Sequence, residues 1–306
     1  MSQATHGTLE RIEQYVKKQD DIRIALIIGS QARSVIPADE WSDIDIVMVT
    51  TRPERYLDGA SWLDELGLKP MVTLVEATAR GGEKERRILF QNGVDVDFSV
   101  IPLSHLEPRA REGRGPEEIM EVIWRGYRLI KDADNVVPQV LGNQPRFAEE
   151  HVGRSQVLLE EEYHQAVSDF LYHLDWAARK LRRGELWVAT YSCNWWMKRL
   201  LVQMIEWYMH AKRGDEYDAW HEGRFLENWA DESIVNKLRS TFAHYDYSDV
   251  KSALFSTTDL YTQLARNVAE RLGFQYPEQS EQLAREQAGR ALHDESSLGY
   301  DSSRNR

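Results

Sequence analysis

The sequence has very little cysteine: Cys193 is the single one among 306 residues. An intrachain disulfide needs two cysteines and a multi-cysteine zinc site needs more, so both are excluded. Residues 1–10 are polar, without the apolar core of a signal peptide, and no uninterrupted apolar run is long enough to cross a bilayer. We therefore expect a cytoplasmic protein that does not bind a membrane.

Positive charge is also scarce, since 38 lysines and arginines stand against 50 aspartates and glutamates and give a formal net charge of -12. Nucleic acids and anionic lipids attract basic surfaces, so we expect no nucleic-acid partner. A small cationic partner suits an acidic protein better. The patterns Gly-x-x-x-x-Gly-Lys and Gly-x-Gly-x-x-Gly are missing as well, which excludes a Walker phosphate-binding loop and a Rossmann fingerprint.

Two patterns of apolar residues divide the chain. Residues 1–144 contain short apolar runs rich in β-branched residues, which indicate strands, between short helical patterns. Residues 145–293 carry apolar residues every three or four positions over long stretches, which is typical of a helical bundle. Residues 294–306 are polar and indicate a disordered tail. The predicted fold is therefore α+β, with an N-terminal mixed-sheet domain followed by a C-terminal helical domain.

The predicted elements follow from these patterns and from turn residues. The strands are Ile22–Ile28, Ile44–Thr50, Met71–Glu76, Arg87–Phe90, Val94–Ile101 and Tyr127–Lys131. The helices are Thr8–Gln19 capped by Thr8, Pro53–Leu66, one beginning at Pro116, Phe147–Leu181, Leu186–Ala211, Val250–Leu272 and Glu278–His293. The step Asn92-Gly93 between two of the strands is a strong hairpin signal.

Acidic residues occupy unusual places in two of these strands. Asp43 and Asp45 are one residue apart at the head of a strand, which aims both side chains at the same face. An isolated pair of this kind is more often a turn followed by a solvated strand end. Asp97, however, lies between Val96 and Phe98 in an otherwise apolar strand. Magnesium prefers carboxylate oxygens, so the set favours a metal site.

Asp95 shares a strand face with Asp97, but it follows the Asn-Gly turn and is explained by exposure. Upstream, Gly29 and Ser30 end a buried strand and open a short predicted helix through Arg33. A glycine there permits close approach of the backbone, and exposed N–H groups with the Ser30 hydroxyl can hold phosphate oxygens. Together these residues predict nucleotidyl transfer, which requires two divalent cations.

This ordered set, Gly-Ser, then Asp-x-Asp on a strand, then a third Asp in an apolar strand, resembles the polymerase-beta-like nucleotidyltransferases. Within that superfamily the sequence is most similar to the aminoglycoside 6-adenylyltransferases, which adenylylate streptomycin. The likeness spans most of residues 8 to 275. The segments that carry it are Gly29–Thr50, Ser61–Gly67, Leu89–Pro102 and Met204–Trp207.

The resemblance implies transfer of AMP from ATP to a hydroxyl of an aminoglycoside such as streptomycin, with release of pyrophosphate. It assigns two magnesium ions to Asp43, Asp45 and Asp97 and the triphosphate to Gly29 and Ser30. That family typically has arginine after the Gly-Ser pair, whereas this chain has Gln31. The phosphate contact is then lost or taken over by Arg33.

The resemblance also implies that a carboxylate of the helical domain acts as general base. Glu185, after the predicted break Arg183-Gly184, is the first candidate and Asp175 the second. We expect most aromatic side chains of this domain to form its core, while some line an antibiotic cleft beside Glu206. The aromatic residues in question are Trp176, Trp187, Trp195, Trp196, Trp207 and Tyr208.

Two alternatives remain open. The chain could be a nucleotidyltransferase for another acceptor, such as a lincosamide-like drug, a metabolite or a protein. It could also be a non-catalytic module that binds a nucleotide, although three intact aspartates argue against this. The sequence leaves open the acceptor, the base, the nucleotide preference and whether the protein is a monomer or a dimer.

Overall fold

The computed structural model describes residues 2–77, 83–105, 123, 126–138, 157–215 and 217–293. The chain divides into two compact units, Met1–His151 and Val152–Arg306. The predicted boundary between residues 144 and 145, the predicted helix at Pro116, the start of the helix predicted from Phe147 and the predicted tail lie outside the described residues.

The first unit is built on a six-stranded mixed sheet, one face of which is covered by three described helices. Its strands are β1 (Ile22–Ile28), β2 (Ile44–Thr50), β3 (Pro70–Ala77), β4 (Lys84–Phe90), β5 (Asp95–Pro102) and β6 (Arg128–Asp132). Its described helices are α1 (Gln3–Lys18), α2 (Pro53–Leu57) and α3 (Trp62–Glu65). The strands lie in the order β3-β4-β5-β2-β1-β6. Strands β2 and β5 pair in parallel, and every other pair is antiparallel.

Side chains alternate between the two faces of this sheet, as strand geometry requires. Buried residues such as Ile27, Ile46 and Phe98 pack on the face that α1, α2 and α3 cover. Residues that point the other way in β2 and β5, including Val47 and Ile101, form a second and smaller cluster on the other face. The odd-numbered aspartates of β2 and β5 therefore lie on the face away from the three helices.

The first helix begins earlier than predicted. It starts at Gln3, and the side chain of Ser2 accepts a hydrogen bond from the Thr5 N–H as its N-cap. Thr8, the predicted cap, is instead buried inside the helix and accepts a hydrogen bond from Asn92 at 2.9 Å. The cap prediction was wrong because the polar residues before Thr8 already complete a helical turn.

The helix predicted over Pro53–Leu66 is also wrong, because the segment forms two short helices, α2 and α3, with Gly59 between them. Glycine is a poor helix former, so a break at this position is inexpensive. Strand β4 begins at Lys84 rather than Arg87, since its charged first half pairs with β3 and β5. The bounds of β1 and β2 agree with the prediction.

The second unit is helical in its described part. Its helices are α4 (Glu160–Arg182), α5 (Leu186–Tyr191), α6 (Met197–Arg213), α7 (Leu226–Trp229), α8 (Glu232–Leu238), α9 (Tyr247–Leu272) and α10 (Glu278–His293). A π-helical turn, Ser192–Trp196, joins α5 to α6 inside the segment predicted as one helix. The predicted α+β fold, a mixed sheet followed by helices, is confirmed.

The centre of the second unit is aromatic and apolar. The rings of Phe170 and Tyr261 stack with their centroids 3.7 Å apart, and the Tyr163 hydroxyl donates to the Ala265 carbonyl at 2.9 Å. Cys193 is fully buried. None of the helices in the described part of the chain is both long and apolar enough to span a membrane.

Most of the six aromatic residues named above were expected in this core, but they lie elsewhere. None of them is buried, and Trp187, Trp195 and Trp196 are exposed. The expectation was wrong because the inward face of the α5 to α6 segment is made by smaller side chains. Those buried residues are Leu186, Ala189, Cys193, Met197 and Leu201.

Candidate active site

The turn at Gly29 brings the end of β1 close to the first strand aspartate. Gly29 has a φ of +68°, a left-handed conformation that favours glycine. A Cβ atom at this position would lie 2.1 Å from Asp45 Oδ2, far inside contact distance. Glycine is therefore required here for two independent reasons, and one of them is the room that the Asp45 carboxylate occupies.

The residues after Gly29 form one turn of 3-10 helix, Gly29–Gln31. Ser30 is buried, and its Oγ has no hydrogen-bond partner among the described residues. Gln31 Nε2 donates to the Asp43 carbonyl oxygen at 3.2 Å. The Arg33 Nε donates to the Ile36 carbonyl at 2.8 Å. Gln31 thus ties the turn to the backbone of Asp43, and Arg33 braces the loop that follows.

That loop carries a second brace just before β2. The Asp39 carboxylate accepts hydrogen bonds from the Trp41 N–H and the Ser42 hydroxyl, both at 2.9 Å. These donors stabilise the charged form, so they lower the pKa of Asp39, with the bond from Trp41 contributing most. The loop therefore enters β2 in a fixed conformation, and Asp43 follows directly.

The parallel pairing of β2 with β5 brings the predicted carboxylates together. Asp45 and Asp97 are direct neighbours across this pair. Asp43, Asp45 and Asp97 each offer a carboxylate oxygen, and the three oxygens lie within 4.8 Å of one another. Asp95, two residues before Asp97 on the same strand, is exposed and does not belong to this group.

Asp97 lies in an unusual electrostatic setting. Burial raises its pKa to about 7, against the opposing effect of the Arg87 guanidinium. Its Oδ2 lies 3.3 Å from Arg87 Nε, while its buried Oδ1 has no hydrogen-bond partner among the described residues. A buried carboxylate oxygen without a donor is costly. A hard divalent cation between the three carboxylates would satisfy it, so the donor set fits magnesium.

Two features of this site escaped the sequence analysis. Arg87 and Glu85 lie on β4 beside Asp97, and the sequence shows them as ordinary charged residues. Gly126 precedes β6 with a φ of +129°, and a Cβ there would lie 2.4 Å from the Ala32 carbonyl. It therefore packs against the chain just after the Gly29 turn. A lone glycine before a strand is the signal that could have indicated it.

The candidate bases belong to the second unit. Glu185 is paired with Lys180 at 2.8 Å and Arg183 at 2.9 Å. The hydrogen bond from Lys180 lowers the pKa of Glu185. Asp175 Oδ2 lies 2.6 Å from Arg179, while its Oδ1 is buried without a partner within the described part of the chain.

The same unit contains a cavity of about 780 Å³. Glu206 lines it, together with Trp195 and Trp196. Three of its lining residues are acidic and two are basic. The acidic ones are Asp169, Glu206 and Glu222, and the basic ones are Lys198 and Arg199. Acidic and aromatic side chains therefore do meet beside Glu206.

Comparison of the sequence with known protein families shows the family of this chain. The family model described as streptomycin adenylyltransferase matches residues 3–288. The chain belongs to this family. Streptomycin adenylyltransferase family members are nucleotidyltransferases, so the protein is an enzyme of that class, and the resemblance seen in the sequence is confirmed.

Relatives of this chain are named aminoglycoside 6-adenylyltransferase. The protein from Bacillus subtilis is 20% identical over 89% of this chain and 92% of its own. The one from Campylobacter jejuni is 22% identical over 88% and 90%. A crystal structure of an aminoglycoside 6-adenyltransferase from Bacillus subtilis aligns with 94% of this chain and 98% of its own, at 18% identity and a TM-score of 0.41.

Proposed function

We propose that this enzyme transfers AMP from ATP to a hydroxyl of an aminoglycoside such as streptomycin, releases pyrophosphate and so inactivates the antibiotic. The observation that carries this proposal is the convergence of Asp43, Asp45 and Asp97, whose oxygens lie within 4.8 Å of one another behind the Gly29 turn. The names of the relatives support the aminoglycoside as acceptor.

In this proposal Asp43, Asp45 and Asp97 hold two magnesium ions. When bound, such ions activate the attacking hydroxyl and neutralise the charge on the triphosphate and the leaving pyrophosphate. The backbone N–H groups after Gly29 bind phosphate oxygens, together with the Ser30 hydroxyl, which has no partner within the described part of the chain. Gln31 keeps Asp43 in place through its bond to the backbone carbonyl. Arg33 remains our candidate for the phosphate contact that Gln31 does not supply.

A cytoplasmic location agrees with this use of ATP. The acceptor is a small polycation, which suits the net charge of -12. The experiment that tests the proposal is mass spectrometry of a drug panel incubated with the protein, magnesium and mixed nucleotides. Addition of one AMP to streptomycin supports it. Modification of a lincosamide or a metabolite instead would show a different acceptor, and no modified compound with any nucleotide would refute transferase activity on these compounds.

Asp45→Asn tests the metal assignment. The change removes one negative charge from the cluster and keeps the shape of the side chain. Metal ions contribute several kcal/mol to such reactions, so we expect magnesium-dependent pyrophosphate release to fall at least about 100-fold. Asp95→Asn, at the exposed neighbour outside the cluster, is the matched control. Equal rates for Asp45→Asn and the unmodified enzyme would show that the metal assignment is wrong.

We propose Glu185 as the general base, with Asp175 as the alternative. Loss of a general base typically lowers the rate about 100-fold to 10,000-fold. We therefore expect Glu185→Gln to lower kcat by at least about 100-fold with little change in KM for ATP. The ion pairs with Lys180 and Arg183 oppose proton uptake by Glu185. A full rate for Glu185→Gln together with a large loss for Asp175→Asn would transfer the role to Asp175.

A further inference from the structure

A row of side chains crosses the sheet through the aspartate cluster. Arg87 of β4 is the direct neighbour of Asp97 on one side, and Asp45 of β2 is its neighbour on the other. Directly paired residues project from the same face of a sheet. Asp97 therefore lies between a guanidinium and a second carboxylate, on the face away from α1, α2 and α3.

Arg87 is held by carboxylates on three adjacent strands. Its Nε lies 2.9 Å from Glu76 of β3, 2.9 Å from Glu85 of β4 and 3.3 Å from Asp97 of β5. Glu85 is slightly more buried than Asp97, with side-chain exposures of 9% and 12%. The single Nε–H donates to Glu85 Oε1, and Nε also forms an ion pair with Asp97 Oδ2. Because several carboxylates surround it, the guanidinium has little freedom to move.

The two oxygens of Asp97 are thus not equivalent. Oδ2 faces Arg87, whereas Oδ1 is buried and lacks a hydrogen-bond partner among the described residues. A group that contacts a metal-binding carboxylate on the side away from the metal fixes the orientation of that carboxylate. Removing such a group typically lowers metal affinity about 10-fold to 100-fold.

Building on the proposed metal site, we propose that Arg87 is a positioning residue: it holds Asp97 Oδ2, so that Oδ1 is presented to the divalent cation shared with Asp43 and Asp45. Glu85 contributes by holding the Arg87 guanidinium in position through their ion pair. Arg87 itself does not contact the metal ion.

The sign of one measurement separates this role from the simplest alternative. If Arg87 acts merely as a positive charge near the site, its removal strengthens the attraction of the cluster for a cation. If Arg87 orients Asp97, its removal weakens metal binding. The two views predict opposite changes in affinity.

The experiment is a titration of the full-length enzyme with Mn²⁺ alone, followed by electron paramagnetic resonance of the free ion. We expect Arg87→Met to raise the Mn²⁺ dissociation constant about tenfold, with partial recovery in Arg87→Lys, which keeps the charge but not the planar fork. Arg52→Met, at an exposed arginine of the same unit, is the matched control. An unchanged or lower dissociation constant in Arg87→Met would overturn the proposal.

Glu85→Gln guards against a variant that fails to fold. It leaves Arg87 and the aspartates in place, and we expect a smaller weakening of Mn²⁺ binding in the same direction; unchanged binding argues against the proposal. The magnesium concentration for half-maximal rate should shift with the Mn²⁺ affinity while KM for the acceptor stays constant.

If the unmodified enzyme binds no Mn²⁺, the proposed metal site fails. If the unmodified enzyme binds Mn²⁺ but Arg87→Met has no effect on binding, only the role of Arg87 fails.

Discussion

Gly29 ends a strand, forms a turn and leaves space for a carboxylate. Its left-handed φ ends β1, and its missing side chain leaves the space that Asp45 Oδ2 occupies. Any other residue meets both a backbone penalty and a collision. The position therefore constrains the cluster even though glycine contributes no functional group.

Gly29→Ala should damage activity much more than stability. The left-handed backbone costs alanine about 1–2 kcal/mol, and the new methyl group must displace the Asp45 carboxylate. Small displacements at a reacting centre can cost about 100-fold in rate, so we expect a loss of that size in pyrophosphate release. The checks are enzyme assays and urea unfolding.

Gly93→Ala is the control for this prediction. Gly93 has a φ of +82°, but a Cβ there would find nothing within 4 Å. It should suffer the backbone penalty alone and keep its activity. Equal activity losses in the two variants would show that the collision with Asp45 is unimportant.

Single residues also mark the limit of prediction from sequence. The three clustered aspartates could be identified because acidic residues in apolar strands are rare. The bond from Gln31 to the Asp43 carbonyl and the contact between Arg87 and Asp97 could not, because they depend on turn geometry and on strand register. Their residue types are common on protein surfaces and carry no distinguishing pattern.

At the scale of elements, the strands were easier to predict than the helices. Strands β1 and β2 are mainly apolar, with Arg23 and Asp45 as the charged residues within them, and their bounds agree with the prediction. The charged half of β4 has no such pattern, since its pairing with two neighbours outweighs local propensity. The π-helical turn between α5 and α6 likewise leaves no recognisable signal in an apolar periodicity.

That π-helical turn packs around a buried lysine. Lys198 Nζ donates to the Cys193 carbonyl and to the Thr257 hydroxyl, at 2.8 and 2.9 Å. Burial lowers the pKa of Lys198 to about 8, well below its value in an unfolded chain. Between these two pKa values the unfolded chain binds the proton and the folded chain does not. The contribution of Lys198 to stability therefore increases as the pH rises through this window.

We expect this contribution to disappear in Lys198→Met. From pH 7 to pH 10 the unmodified protein should gain about 2 kcal/mol of unfolding free energy relative to the variant. Urea unfolding at both pH values measures the difference. Lys237→Met, at an exposed lysine of α8, should show no such dependence. A difference between Lys198→Met and the unmodified protein that does not change with pH would refute this account.

At the scale of the molecule, the aspartate cluster and its positioning arginine belong entirely to the first unit, whereas both candidate bases belong to the second. The division into a sheet region and a helical region could be predicted, because strand and helix periodicities differ along the chain. The ligand set depends on Asp45 and Asp97 being paired in parallel. A slip of one residue would turn one of them to the other face, so the cluster forms only when the central strands are in register.

The single cysteine, Cys193, makes the protein a convenient reporter of its own motions. Cys193 is fully buried at the junction of α5 and α6, and burial raises its thiol pKa. A thiol reagent can modify it only when the surrounding helices open. The sequence contains no second thiol that would contribute background labelling. The rate at which Cys193 is labelled therefore measures the opening of the second unit, without an engineered probe.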